Sequence, residues 1–136
     1  MQRRLHQRNP AAGRAQDDGS AVVDFVLVGA LLTLLVMAVV QLALILHVRN
    51  TLTDAAASGA RYGTLADRSP QDGVERTRQL ISGSLTPGFA QDISYSRTGE
   101  PGSAMLRVTV RAPLPVIGLI GPGDGIEVSG HAYWPD

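Results

Sequence analysis

The chain has 136 residues, 12 basic and 12 acidic, a formal net charge of zero and no cysteine. A zero balance gives no global field that would draw nucleic acid. The absence of cysteine excludes disulfides, thiolate metal sites and thiol catalysis. The length allows one domain at most, and the part after the longest apolar run, from about Val48 on, is large enough only for a small core.

Residues 1–18 are polar and carry Arg3, Arg4, Arg8 and Arg14 against Asp17 and Asp18. They read as a disordered basic leader. The small pair Gly19-Ser20 follows, then Ala21-Val22-Val23, then one acid, Asp24, and Phe25. From Phe25 to Leu46 no charge appears, and 15 of these 22 residues are Leu, Val, Ile or Phe. As a helix they reach about 33 Å, enough for a hydrocarbon layer of about 30 Å. Each large apolar side chain near the centre favours insertion by roughly 0.3 to 0.6 kcal/mol, and Thr33 and Gln41 do not reverse the sum. The run is too long for a cleaved signal peptide, whose apolar stretch is about 7–15 residues. The expectation is a membrane-spanning helix. Arginines before it and few basic residues just after it (Arg49, then Arg61) point the N-terminus to the cytoplasm and the C-terminal part outside.

No proline interrupts His47 to Ala66, so one helix is expected from about Ser20 to Leu65. Beyond the apolar run, Leu52, Ala55, Ala56, Gly59 and Tyr62/Gly63 recur at helical spacing and form one face. Residues 67–73 read as a loop, and Asp72 with Glu75 fits a capping box. Val74, Thr77, Leu80/Ile81 and Leu85 fit the buried face of a short helix, which Thr86-Pro87-Gly88 ends. Three alternating segments then read as strands: Ile93, Tyr95 and Arg97; Leu106, Val108 and Val110; and Ile126, Val128, Gly130, Ala132 and Trp134. A turn at 98–103 joins the first two. The connection from Pro113 to Gly125 is apolar as well as rich in Gly and Pro, so it either packs over the sheet or meets a partner, the long helix or the membrane surface. The fold class is α+β: a long N-terminal helix and a small head with a short helix and an antiparallel sheet.

The pattern offers no catalytic constellation and no cofactor site. His6, His47 and His131 are dispersed, with no pair or cluster at ligand spacing. The glycine-rich run 121–125 opens no helix, and Pro122 removes an N–H that a phosphate cradle would use.

Asp24 has two readings. It snorkels to water at the membrane edge, or it pairs with a positive group inside the membrane. If the chain is cut between Gly19 and Ser20, Asp24 becomes the fifth residue and Phe25 the sixth. The new amine of Ser20 on a neighbouring, axially shifted helix is then a partner that would reward correct stagger. A glycine before the cut, a small residue after it, an acid fifth and Phe sixth resemble the processing site of the type IV pilin superfamily. The family usually carries Glu at the fifth position, where this chain has Asp. The start at 19–25 followed by a Leu/Val run is most similar to the TadE-like pseudopilins of the tight-adherence (Flp pilus) system. A second block supports this, from Val48 through Arg49, Asn50, Asp54, Ala55, Gly59, Ala60 and Arg61 to Tyr62.

The resemblance implies a basic leader at 1–19 removed by a prepilin peptidase, a transmembrane helix at 20–47, its extension at 48–66 and an exported head at 67–136. It implies other pilins or pseudopilins, the membrane assembly platform and the lipid bilayer as partners, with no nucleic acid. Helix pairing would fall to Asp24, Phe25, Gly29, Thr33 and Gln41, with close approach at Gly59 and its alanines. Packing of the alanines on the protein's own sheet is the other reading there, and mere tolerance near the membrane edge is the other reading of Gln41. The alternative function is an uncleaved single-pass anchor carrying a binding or sensory domain.

Overall fold

The structure is a computed structural model describing residues 10–115 and 125–135, with side chains described from residue 16 on. The order is α1 (Pro10–Gly63), α2 (Pro70–Ser84), a 3-10 turn (Pro87–Ala90), β1 (Asp92–Thr98), β2 (Met105–Ala112) and β3 (Ile126–Tyr133). The expected α+β architecture is observed. The chain divides into two compact units, Met1–Val40 and Gln41–Asp136.

In the first unit α1 already begins at Pro10, so the expected disorder is corrected for residues 10–18. Pro10 suits a first helical position, and Ala11, Ala12, Arg14, Ala15 and Gln16 after it are good helix formers. From Gln16 to Val40 every residue is exposed, including Phe25 at 79% and Leu31 at 69%. A helix that is apolar on all sides needs a non-aqueous surrounding.

In the second unit the sheet is an antiparallel meander in the order β1-β2-β3. Val110 stands between Ile93 and Val128, and Val108 between Tyr95 and Gly130. A turn in which Gly99 takes a φ of 93° joins β1 to β2. Leu106, Val108, Val110 and Ala112 of β2 face the core, as do Ile126, Val128, Gly130 and Ala132 of β3. The alternation expected for β2 and β3 is therefore seen. β1 keeps the expected strand, but as an edge strand it is half-covered at Ile93 and Thr98 alone, and Tyr95 remains 47% exposed. The Arg97 guanidinium instead lies 5.1 Å from the Trp134 ring centre.

The outer part of α1 supplies Val48, Leu52, Ala55, Ala56 and Ala60 to this core, and α2 supplies Ile81, with Leu80 and Leu85 packed at its edge. Small residues decide how close the layers come. A Cβ added to Gly130 would collide with the backbone of Ala56 and Ala57, so β3 touches the α1 main chain directly. A Cβ on Gly59 would meet the Thr77 side chain and, at 2.6 Å, the Gly73 carbonyl. Thr77 is fully buried, and its hydroxyl donates to Gly73 O at 2.8 Å, with Ala55 O at 3.5 Å as a second acceptor.

Helix α2 starts earlier than expected, and its capping box is corrected from Asp72/Glu75 to Ser69/Asp72. Ser69 is the N-cap with Pro70 after it. The Asp72 N–H donates to Ser69 Oγ at 3.2 Å, and the Ser69 N–H donates to the Asp72 carboxylate at 2.8 Å. Glu75 pairs with Arg78 instead, at 2.5 Å. Ser69 Oγ accepts from the Asp72 N–H and the Asp72 carboxylate accepts from the Ser69 N–H, so both halves of the box are filled one turn upstream, where Pro70 suits the first helical position. The helix ends at Ser84, with the Leu85 N–H bonded to Ile81 O at 2.7 Å.

Two predictions follow from the packing and the cap. Gly130→Ala should cost about 1–3 kcal/mol, because the added methyl meets backbone that cannot rotate away; thermal unfolding of the full chain in detergent, followed by circular dichroism, reads it as a lowered midpoint. The bonds from Ser69 hold the Asp72 carboxyl below its ordinary value of 3.8. A lowered folded value means the stabilisation is complete above that ordinary value and disappears as pH falls through the lowered one. Asp72→Asn should therefore lower stability at neutral pH and flatten the acid limb of a midpoint-against-pH curve; an unchanged acid limb would remove Asp72 from that role.

Candidate functional site

The residues expected to carry function fall into two stretches of α1. The first holds Gly19, Ser20, Asp24, Phe25, Gly29 and Thr33, all exposed on the helix. The Gly19–Ser20 bond lies inside α1. Added Cβ atoms at Gly19 and at Gly29 would each meet open space. The Thr33 hydroxyl donates to Gly29 O at 2.8 Å, so within the chain it is satisfied by its own helix and exposes little polarity. Among the described residues nothing covers Asp24, which is exposed on the helix.

The second stretch, Arg49 to Tyr62, separates into two faces. Ala55, Gly59 and Ala60 are buried in the core of the protein's own head, Ala60 completely. Arg49, Asn50, Asp54 and Arg61 are exposed on the other side. The small residues are thus occupied by α2 and β3, which accounts for them within a single chain. Tyr62 is half-buried, with the Arg68 guanidinium 4.9 Å and the Arg76 guanidinium 5.8 Å from its ring centre. Thr51 and Thr53 donate back to the carbonyls of His47 at 2.9 Å and Arg49 at 2.8 Å, which keeps their hydroxyls satisfied on the helix surface.

Gln41 is half-buried and donates from Nε2 to the carbonyl of Pro115, just after β2. This contact was not legible in the sequence, because the two residues are 74 positions apart. A cleft of about 310 Å³ between α1 and α2 was also missed; Asp54, Ala55, Ser58, Leu80 and Ser84 help line it. Its signal would have been the coincidence of small residues on facing helices, which reads equally as close packing.

On the open face of the sheet Arg107 Nε donates to His131 Nε2 at 2.8 Å, and Arg111 pairs with Glu127 at 3.0 Å. The carboxylate of Glu127, then that of Asp92, holds the Arg111 guanidinium above its ordinary value. Each group is engaged with its cross-strand neighbour in an exposed setting. No set of three or more His, Cys, Asp or Glu among the described residues is placed to hold a metal.

Among the described residues one helix is long and apolar enough to cross a membrane, Gln16–Gly63, with a mean hydropathy of 2.7 and no burial over an 18-residue window. Residues 19–61 match the family model described as TadE-like protein. The segment is TadE-like. The resemblance drawn from Gly19–Phe25 and from the block ending at Tyr62 is thereby borne out over almost the same residues. The TadE-like segment is 43 of the 136 residues and consists wholly of α1, so the match covers neither α2 nor the sheet. No curated protein and no solved structure matches the chain.

Proposed function

We propose that the protein is a pseudopilin of a tight-adherence (Flp-type) pilus or a related envelope secretion apparatus. The observation that carries this is the coincidence of the TadE-like match with a single helix of two characters. Its first part is apolar all round and uncovered, with one acid, Asp24, near its start. Its second part is the packing face of a small head. In this reading 1–19 is a cytoplasmic leader, 20–47 spans the cytoplasmic membrane, 48–66 extends the helix outside and 67–136 is the exported head. A prepilin peptidase cuts after Gly19, and the partners are other pilins or pseudopilins and the assembly platform. The protein is a substrate of an enzyme and acts by assembly.

Asp24 is the residue on which assembly turns. A carboxylate in low-dielectric surroundings needs a positive partner, and the amine created at Ser20 on a neighbouring chain supplies one. Phe25, Gly29 and Thr33 flank that contact along the helix. The burial of Gly59 and Ala60 in the head supports a reading in which these earlier residues, rather than the alanine block, form the assembly surface.

One observation favours an uncut anchor bearing a binding domain: the Gly19–Ser20 bond is helical in the full-length chain, and a peptidase needs local unwinding to reach it. Mass spectrometry of the protein from cells with an active prepilin peptidase separates the two. A mature chain beginning at Ser20 is expected, and an intact leader would favour the uncut anchor. Asp24→Ala should leave cutting intact and abolish co-isolation with other pilins; unchanged co-isolation would return Asp24 to snorkelling at the membrane edge.

A further inference from the structure

The head and the outer part of α1 meet lower on the helix than the sequence boundary at 47/48 suggests. Gln41, Leu44 and Ile45 are half-buried and Val48 is fully covered, while Leu42, Ala43, Leu46 and His47 are exposed. This is one helical stripe at spacings of three and four. Leu44 packs on the core of the head, and Gln41 reaches the carbonyl of Pro115. Yet Gln41 stands five residues before Leu46, the last residue of the charge-free run. That is about 7 Å below the end of the run along the helix.

The covering segment has the same chemistry as the helix it covers. After Arg111 the sequence carries no charge from Ala112 to Gly123. Ala112 is paired with Ile126 and buried, while Pro113 and Leu114 are exposed, Leu114 at 38%. Two prolines in three residues leave Leu114 as the only backbone N–H donor of 113–115, which lowers the cost of removing this segment from water. Gln41 satisfies the Pro115 carbonyl, and Pro115 satisfies the Gln41 amide, as each needs in hydrocarbon. Charge stands next to the contact along both elements: Arg49 follows on α1, and Arg111, in register with Asp92 and Glu127, precedes it on the sheet.

From this juxtaposition we infer that the β2–β3 end of the head, at Pro113–Pro115 beside Gln41, is seated in the lipid leaflet on the head's side of the membrane. Its occupant is lipid because the uncharged end of β2 at Ala112–Pro115 meets the charge-free run of α1 at Gln41, with no charged side chain in either to hold water there. The Arg111–Glu127 pair, exposed and 3.0 Å apart, then lies among the headgroups. The head is thereby held at two places, by α1 and by this second contact, which limits its rotation about the helix. This inference rests on the membrane reading of α1 given above.

The native chain has no cysteine, so single nitroxide labels can be placed without removing any. The full chain is reconstituted in phosphatidylcholine vesicles with a label at Leu114→Cys, at Val36→Cys in the span, or at Glu100→Cys in the β1–β2 turn. Collision with oxygen, which concentrates in lipid, is compared with collision with a water-soluble nickel chelate. The label at Leu114→Cys should relax with oxygen and lose its response to nickel; that at Glu100→Cys should show the reverse. Pro113→Cys repeats the reading at a neighbouring exposed site if the first variant does not fold. A nickel response at both 113 and 114, with Val36→Cys in lipid, overturns the inference and leaves the span intact. Shielding from both reagents overturns it in favour of a protein neighbour. A nickel response at Val36→Cys as well overturns the membrane reading itself.

Discussion

Close approach between main chains, at Gly130 against Ala56 and Ala57 and at Gly59 against Gly73, is the constraint on which the head depends. A three-stranded sheet and a 15-residue helix have too little apolar surface to bury each other without a third element. The outer part of α1 is that element. It brings few large side chains, chiefly Val48 and Leu52, and otherwise alanine and glycine. Their value lies in what they let in: Ile81 of α2 and the valines of β2 and β3 reach the centre because the α1 backbone does not hold them off. The buried Thr77 hydroxyl then accepts a place that an apolar side chain would overfill, since its bond to Gly73 O keeps it satisfied.

That constraint explains the division of work along α1. Where the helix must pack against its own head, its face is small and its opposite side carries Arg49, Asn50, Asp54 and Arg61. Where none of the described residues covers it, from Phe25 to Val40, it has large apolar side chains on all sides. The TadE-like match spans both regimes within one helix. The matched residues 19–61 therefore include the face of α1 that packs on the head and stop short of α2 and the sheet. The sheet's open face, with its cross-strand pairs Arg107–His131 and Arg111–Glu127, is where a particular head can acquire its own surface without disturbing the helix.

Much of this was legible from periodicity alone. The charge-free run, the 3–4 spacing from Leu52 to Gly63 and the alternation in β2 and β3 each report a single local environment. The misreadings came where two local rules competed. Acidic residues at Asp17 and Asp18 and the arginines before them suggested disorder, but Pro10 and the alanines after it carry the helix through residues 10–18. Asp72 and Glu75 have the composition of a cap, but only Ser69 has the hydroxyl at the right distance, and it moved the helix start upstream. β1 has the alternation of a half-buried strand, but an edge position half-covers only Ile93 and Thr98. The apolar connection allowed a contact with the long helix, but the particular tie between Gln41 and Pro115 was not legible, since no local pattern encodes a pair 74 positions apart. The apolar connection was expected from Pro113 to Gly125; its residues 116–124 lie outside the described residues, and only its ends bear on the account. For the expected processing site the limit is different: Gly19, Ser20 and Asp24 are exposed on α1, and among the described residues none packs over them.

The central claim is that one helix passes from an all-round apolar surrounding to a one-sided protein core. Single cysteines along α1, treated in reconstituted vesicles with a charged maleimide, test it most directly. The account predicts no labelling at Val28 or Val36, strong labelling at Arg49, Asp54 and Arg61, and none at Leu52 or Ala56 until the head is unfolded. Labelling at Val36 in intact vesicles, or equal labelling of Ala56 and Asp54 in the folded protein, would contradict it.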